Sequence, residues 1–248
     1  MGNYKLLLFF LISSNYFLSA QTEKNVDHQS LIWTRYYNQL ELSKKWSIHS
    51  EFDNRVFTSP IVQNLFLVRV HGRYKISDQI DVGTGLAYFL VVTQDPTIES
   101  GFNKPEYRAL QDITLKQNFG KINLGHRYQI EERFFQNFDS QGLKSGTTFV
   151  MRFRYKIQGD YAFWKDENKF LKAVIADEIL INAGRKIIKN TFDQNRIYAG
   201  LQYGINENFS VEAGYLNSYQ QRANGVDYYN RDIFRITVFH KIKVHGKG

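Results

Sequence analysis

Residues 126–135 read HRYQIEERFF, and alternate positions there carry Arg127, Gln129, Glu131 and Arg133. The same habit recurs along the chain. Glu51, Asp53 and Arg55 are two apart, Arg69 shares a parity with Arg73, and Glu106, Arg108 and Asp112 share another. Arg152 and Arg154 follow, then Glu178, Arg196, Glu212 and Arg235, one to a segment. Guanidinium and carboxylate groups meet as planar bidentate pairs. The first chemistry these residues offer is therefore ion pairing, a ladder laced between facing segments, with Glu131 and Arg133 as candidate partners. By parity about fifteen Arg or Lys stand on these rows against about eight Asp or Glu, Asp81 among them. A basic excess lining a lumen selects anions.

Covalent and metal chemistry find little support. Histidines lie scattered at positions 28, 49, 71, 126, 240 and 245. His49 with Glu51 is the local His–acid pairing on an inward parity, and a simple ion pair accounts for it. There is no G-x-S-x-G elbow, no H-E-x-x-H run and no cysteine. VGTGLA (82–87) lacks the third glycine of a dinucleotide loop and falls inside a strand-like segment, where glycine makes room for long neighbours. The constellations of nucleophile, base and oxyanion donor are missing, so the expectation is no catalytic residue, no metal and no cofactor.

The segments that carry the charges have period two, the signature of half-buried strands. WSIHSEFDNRVF (46–57) sets Trp46, Ile48, Phe52 and Val56 against His49, Glu51, Asp53 and Arg55. NLFLVRVHGRYKI (64–76) sets Phe66, Val68, Val70 and Tyr74 against Arg69, His71, Arg73 and Lys75. FVMRFRYKI (149–157) alternates Phe149, Met151, Phe153 and Tyr155 with Arg152, Arg154 and Lys156. With the segments near 31–42, 80–90, 105–117, 170–182, 193–205, 209–219 and 231–242, the count is about eleven strands. Short connections near 43–45, 77–79, 118–120 and 206–208 alternate with longer ones near 93–104, 137–147, 183–192 and 221–229. The stretch 158–168 is long for the short side. Short turns on one rim and long loops on the other describe an up-and-down barrel.

Which face looks inward depends on the surroundings. A soluble barrel buries its apolar face, whereas a membrane barrel turns that face to lipid and its polar face to the lumen. The N-terminus favours the second. Residues 1–20, MGNYKLLLFFLISSNYFLSA, combine Lys5, an apolar run from Leu6 to Ile12 and small residues before Gln21, the layout of a secretory signal peptide. The run is too short to span about 30 Å of hydrocarbon as a helix. Segments of about 12–15 residues are long enough to cross with tilt, and Trp46, Tyr74, Tyr107, Phe134, Tyr161, Phe209 and Tyr219 sit near their ends, as interfacial girdles require. Residues 21–248 suit one domain. The composition, 16% aromatic with three prolines, favours pleated surfaces. The formal charge is +8, but the bases are spread along the chain, and an exported protein does not meet nucleic acid.

The expectation is thus an all-β, up-and-down antiparallel transmembrane β-barrel of about 10–12 strands with a polar lumen, located in the outer membrane and in contact with its lipid. Single-chain bacterial barrels have even strand numbers, so eleven segments imply ten or twelve strands, or a doubling back of residues 22–30. Arg127 and Glu131 should face the lumen and Tyr128 and Ile130 lipid, with His126 the awkward residue on the outer side and Glu132 at the rim. Functionally, the rows read as a filled, rigid or narrowly gated barrel. An anion-preferring, porin-like channel for small anionic solutes is the alternative. A lipid-modifying enzyme, or a binding protein acting through loops 93–104 and 183–192, comes after it.

Taken in order, WSIHSEFDNR, HRYQIEERF, MRFRYKI, ADEILIN and DQNRIYAGLQY resemble the motifs of the bacterial family of domain of unknown function 2490, across nearly the whole chain after residue 20. The resemblance implies an outer-membrane β-barrel of a Gram-negative bacterium, with no assigned activity and no catalytic residue to carry over.

Overall fold

The computed structural model describes residues 24–98, 101–184, 187 and 189–244. The expected leader at 1–20 and its cleavage point before Gln21 lie outside them. Eleven strands follow one another: β1 (Val26–Glu41), β2 (Trp46–Thr58), β3 (Ile61–Lys75), β4 (Ile80–Val91), β5 (Lys104–Phe119), β6 (Ile122–Asp139), β7 (Gly142–Asp166), β8 (Lys169–Ala183), β9 (Phe192–Gly204), β10 (Phe209–Gln221) and β11 (Tyr228–Lys243). Each pairs with its chain neighbours, and β1 with β11 closes the barrel.

The closing pair overturns the expectation of an even number. Consecutive strands are antiparallel, but β1 runs parallel to β11, from Val26 beside Tyr228 to Glu41 beside Lys243. An odd count therefore closes without an open edge, and residues 26–30 begin β1 instead of doubling back. A parallel ladder is slightly weaker per residue. Side chains reinforce this one: Arg231 Nε donates to Gln29 Oε1 (2.8 Å), Arg35 Nε to Thr237 Oγ1 (3.2 Å), and Lys241 pairs with Glu41 (2.7 Å).

One rim carries the short connections, 42–45, 76–79, 120–121, 167–168 and 205–208; we call it the turn rim. Gly120 takes φ 70° in the two-residue turn after β5, where a side chain would be strained. The opposite, loop rim is less loopy than the sequence pattern suggests. Residues 137–147 extend β6 and β7 into a hairpin turning at 140–141, and β2 and β3 meet across Ser59 and Pro60. On the turn rim, 158–168 is mostly strand, with β7 running to Asp166. Register shifts in both extended regions, between Gln136 and Phe138 and between Ala162 and Trp164, break the alternation that sequence reading depends on.

The sidedness of the barrel is plain. Glu131 is 0% exposed, while its neighbour Ile130 and Tyr128 are 37% and 49% exposed on the outer face. Phe52, Val68, Val70, Leu86, Tyr107, Phe153, Ile175, Leu201 and Phe234 are likewise exposed. Aromatics pair along the outside near the loop rim (Tyr88 with Tyr107, Phe134 with Phe149, both 5.3 Å between centroids) and near the turn rim (Trp46 with Tyr74, 4.8 Å). His126 faces outward and its Nδ1 lies 2.8 Å from the Tyr155 hydroxyl, which accounts for a histidine on this side. Glu132 is half-buried on the same outer parity.

The interior is not uniformly polar. One apolar cluster contains Leu31, Trp33, Phe57, Val174, Tyr198, Leu216 and Ile233. A second contains Leu65, Leu67, Ala87, Phe89 and Leu110. Glycines in β4 admit large neighbours, as the sequence suggests. A Cβ on Gly85 would come within 2.1 Å of the His71 ring, and one on Gly83 within 2.9 Å of Asp112 Oδ2.

Candidate functional site: an ion-paired waist between two chambers

Strand parity delivers all the charge-row candidates to the interior, and cross-strand register decides which of them meet. Glu131 on β6 lies opposite Arg152 on β7. It accepts from Arg108 Nη1 (3.1 Å), Arg152 Nε (2.9 Å), Arg154 Nη1 (2.5 Å) and Gln129 Nε2 (3.0 Å), with a further short contact from Arg152 Nη2. Glu106 binds Arg108 through two bonds (2.6 and 2.9 Å) and takes Arg133 Nε at 2.6 Å. Glu178 receives Arg154 (2.7 Å) and Arg127 (2.7 Å), with Arg196 at 3.7 Å. These residues form one contiguous network across β5–β9. Glu131 and Arg133 are not partners. Glu131 is taken up by arginines of both neighbouring strands, and Arg133 goes to Glu106 on β5.

The remaining candidates form separate, smaller groups. Asp53 and Arg55 pair along β2 (3.1 Å), Arg73 pairs with Asp112 (2.9 Å), and Arg235 with Glu212 (2.9 Å). Glu51 is approached by Arg69 at 3.6 Å and Arg35 at 4.0 Å, too far for hydrogen bonds. His49 does not pair with Glu51. Its Nδ1 lies 2.5 Å from the Tyr37 hydroxyl and its Nε2 3.0 Å from Ser47 Oγ. Asp81 meets Lys116 at the turn rim.

Several interior residues escape sequence reading. Asp193 takes Arg152 Nη1 at 2.6 Å. It is the residue skipped where Leu180 pairs with Gln194 and Ile181 with Phe192, so a bulge turns it inward against the parity of its strand. Trp33 and Arg35 alternate inward on β1, within LIWTRYYNQLEL. Arg55 lies 3.6 Å over the Trp33 ring, Arg108 3.5 Å over Phe89 and Arg235 3.7 Å over Tyr198. Cation–π stacking thus supplements carboxylates as the answer to buried charge.

Two chambers open in the interior among the described residues. A chamber of about 560 Å³ lies toward the loop rim and one of about 390 Å³ toward the turn rim. Trp33, Arg55, Arg69, Arg154 and Arg196 line both, so they mark the waist between them. Part of the connection 92–103 folds over the loop-rim chamber. Asn64 Nδ2 donates to the Thr93 carbonyl (2.6 Å), and the Gln94 carbonyl accepts from Arg231 Nη2 (3.0 Å) and Gln29 Nε2 (3.2 Å). That loop therefore begins as an inward latch, where sequence reading placed a surface for partners. Among the described residues, no group of three or more His, Asp or Glu could hold a metal ion.

No curated protein matches the chain. A family model does, over residues 31–230, from the interior face of β1 to the start of β11. The stretch includes the whole ion-paired waist, and the chain belongs to that family, described as protein of unknown function DUF2490.

Proposed function

We propose that this protein is an exported outer-membrane β-barrel whose lumen is closed at its waist, a structural or narrowly gated barrel and not an enzyme. The observation that carries the reading is its sidedness. Glu131, Glu106 and Arg152 are buried inside while a continuous skin of Phe, Tyr, Ile, Leu and Val is exposed outside. Water-soluble monomers rarely expose apolar patches beyond a few hundred Å², whereas lipid requires such a skin and admits strands only in closed barrels. The aromatic pairs near each rim suit the two interfaces. Closure is supported by the arginine–carboxylate network and by two apolar clusters inside.

A second reading, an anion-preferring pore, draws on the surplus of arginine and lysine over carboxylates around the interior chambers. Membrane fractionation and planar-bilayer recording test both. Recovery with the outer membrane and silence in the bilayer are the expected results. A soluble periplasmic monomer would overturn the location, and steady anion-selective current would replace the closed barrel by the pore.

A further inference from the structure

The turn-rim chamber holds more positive charge than its own carboxylates neutralise. Eight arginines and two lysines line it against Glu51, Asp53, Glu178 and Glu212. Asp112, Glu131 and Asp160 pair with Arg73, Arg154 and Lys172, and cations still remain in excess. Three features show where the excess sits. Lys156 gives its ammonium to Gln158 Oε1 (2.6 Å) and, among the described residues, has no carboxylate within 4.0 Å. Arg69 and Arg35 share Glu51 at distances beyond hydrogen bonding. The Nε atoms of Arg69, Arg127 and Arg235 are buried without a partner. Buried donors and uncompensated cations in a walled space demand an acceptor of opposite charge. Solvent still reaches the chamber, since the side chains of Arg127 and Arg35 keep 27% and 20% exposure.

We propose that this chamber is a binding site for a small phosphoryl-type polyanion entering from the turn rim. A dianionic, multi-oxygen group suits an ammonium point charge and guanidinium forks converging from β1, β3 and β7. A volume of about 390 Å³ falls within the range of small-molecule pockets. Strands wall the chamber off from lipid, which favours a soluble phosphorylated solute over a lipid headgroup as the source of that group.

The test is calorimetric titration of the protein, folded in a detergent without phosphate, with inorganic pyrophosphate at fixed ionic strength. Saturable binding is expected, weakened about tenfold or more by Lys156→Gln or Arg69→Gln and unchanged by Arg222→Gln, which lies at the other chamber. Because a lumen variant could fold poorly, acylation of Lys156 in the unmodified protein supplies a second readout. Pyrophosphate should slow it, and chloride at equal ionic strength should not. Dioctanoyl phosphatidic acid below its micellar concentration serves as the lipid probe. Either probe acting through Lys156 upholds the site, and the tighter one identifies the source. Absence of saturable binding, identical binding in all variants, or unprotected Lys156 would overturn it. The site goes beyond the closed-barrel reading and stands apart from it: a conducting protein that still binds would lose the closure and keep the site.

Discussion

Two walls of the same barrel handle buried arginine in different ways. On the β5–β8 wall, Arg108, Arg152 and Arg154 converge on the fully buried Glu131, with Glu106 and Glu178 completing the pairing. On the β1–β3 wall, Arg55 stacks on Trp33 and pairs along its own strand with Asp53, while Arg69 and Arg35 hold Glu51 loosely. The first wall is neutralised by crossed, short hydrogen bonds. The second leans on the Trp33 ring and on the apolar packing of Leu31 and Phe57, with Ile233 of β11 beside them. Tight pairing makes rigid closure, whereas loose pairing leaves charge available for something else. The polyanion chamber is bordered by the loose wall on one side and by Lys156 and Arg127 of β7 and β6 on the other.

The largest effect is expected where pairing is tightest. Glu131→Gln takes the central, fully buried carboxylate from three arginines at once and leaves each with a single acidic partner, Glu106, Asp193 or Glu178, and removing one partner of a buried pair costs about 3–5 kcal/mol. Chemical unfolding in detergent micelles should show that loss, and the double variant Glu131→Gln with Arg154→Gln should recover part of it through coupling. Glu178 keeps Arg127 when Arg154 is gone, so the double leaves no new orphan there. Additive losses in the double variant would break the picture of one cooperative wall.

One residue away, Ile130 sharpens the same wall from its outer side. Placing Arg at Ile130 should cost roughly 2–4 kcal/mol if the position lies near the bilayer midplane. Folding yield into lipid vesicles measures this, and a variant that inserts as well as the parent would refute the outward apolar skin as a lipid surface. Glu51→Gln on the loose wall should cost about 1 kcal/mol, the range of an ion pair that solvent reaches, because Arg69 and Arg35 stand beyond hydrogen-bond distance and keep solvent contact. A loss matching that of Glu131→Gln would erase the distinction between the walls.

The two walls also differ in how legible they were. Where alternation runs unbroken, as in HRYQIEERFF and MRFRYKI, parity placed Arg127, Glu131, Arg152 and Arg154 inside. Parity gives a face but not a partner, and so it matched Glu131 with Arg133, whose guanidinium reaches Glu106 instead. Partners follow from register, which depends on turns and bulges that leave weak marks in sequence. Asp193 was missed because a bulge inverts its side. The count of eleven segments holds, and only the even-number rule set against it fails, because nothing in β1 or β11 announces a parallel seam. Leu31, Leu65, Leu67 and Leu110 could not be assigned to the interior by a rule that sends apolar residues outward. They are buried in the two apolar clusters inside the barrel, where they fill space that the charge network leaves.

The smallest expected effect concerns the latch over the loop-rim chamber, outside both walls. Asp95 follows Gln94 and caps the turn that holds it: its Oδ1 accepts from Thr97 Oγ1 (2.7 Å) and Thr97 N (2.9 Å). These hydrogen bonds, the side-chain one foremost, keep the Asp95 carboxyl below its ordinary value, with Arg222 and Arg231 acting in the same direction. A depressed carboxyl pKa stabilises the folded loop above the ordinary aspartate range, and that contribution is lost as pH falls through the lowered value. Acidification should therefore loosen the turn and free Gln94 from Arg231, while Glu131 and its arginines hold. The protection of the Thr97 amide against hydrogen exchange, taken relative to the intrinsic rate at each pH, reports the event, falling at acid pH in the parent and already lowered near neutral pH in Asp95→Asn. Because the cap is exposed, global unfolding should move little between the two. If Asp95→Asn instead lowered the unfolding midpoint as far as Glu131→Gln does, the loop and the waist would be one cooperative unit, and closure would be set at the rim instead of at the waist.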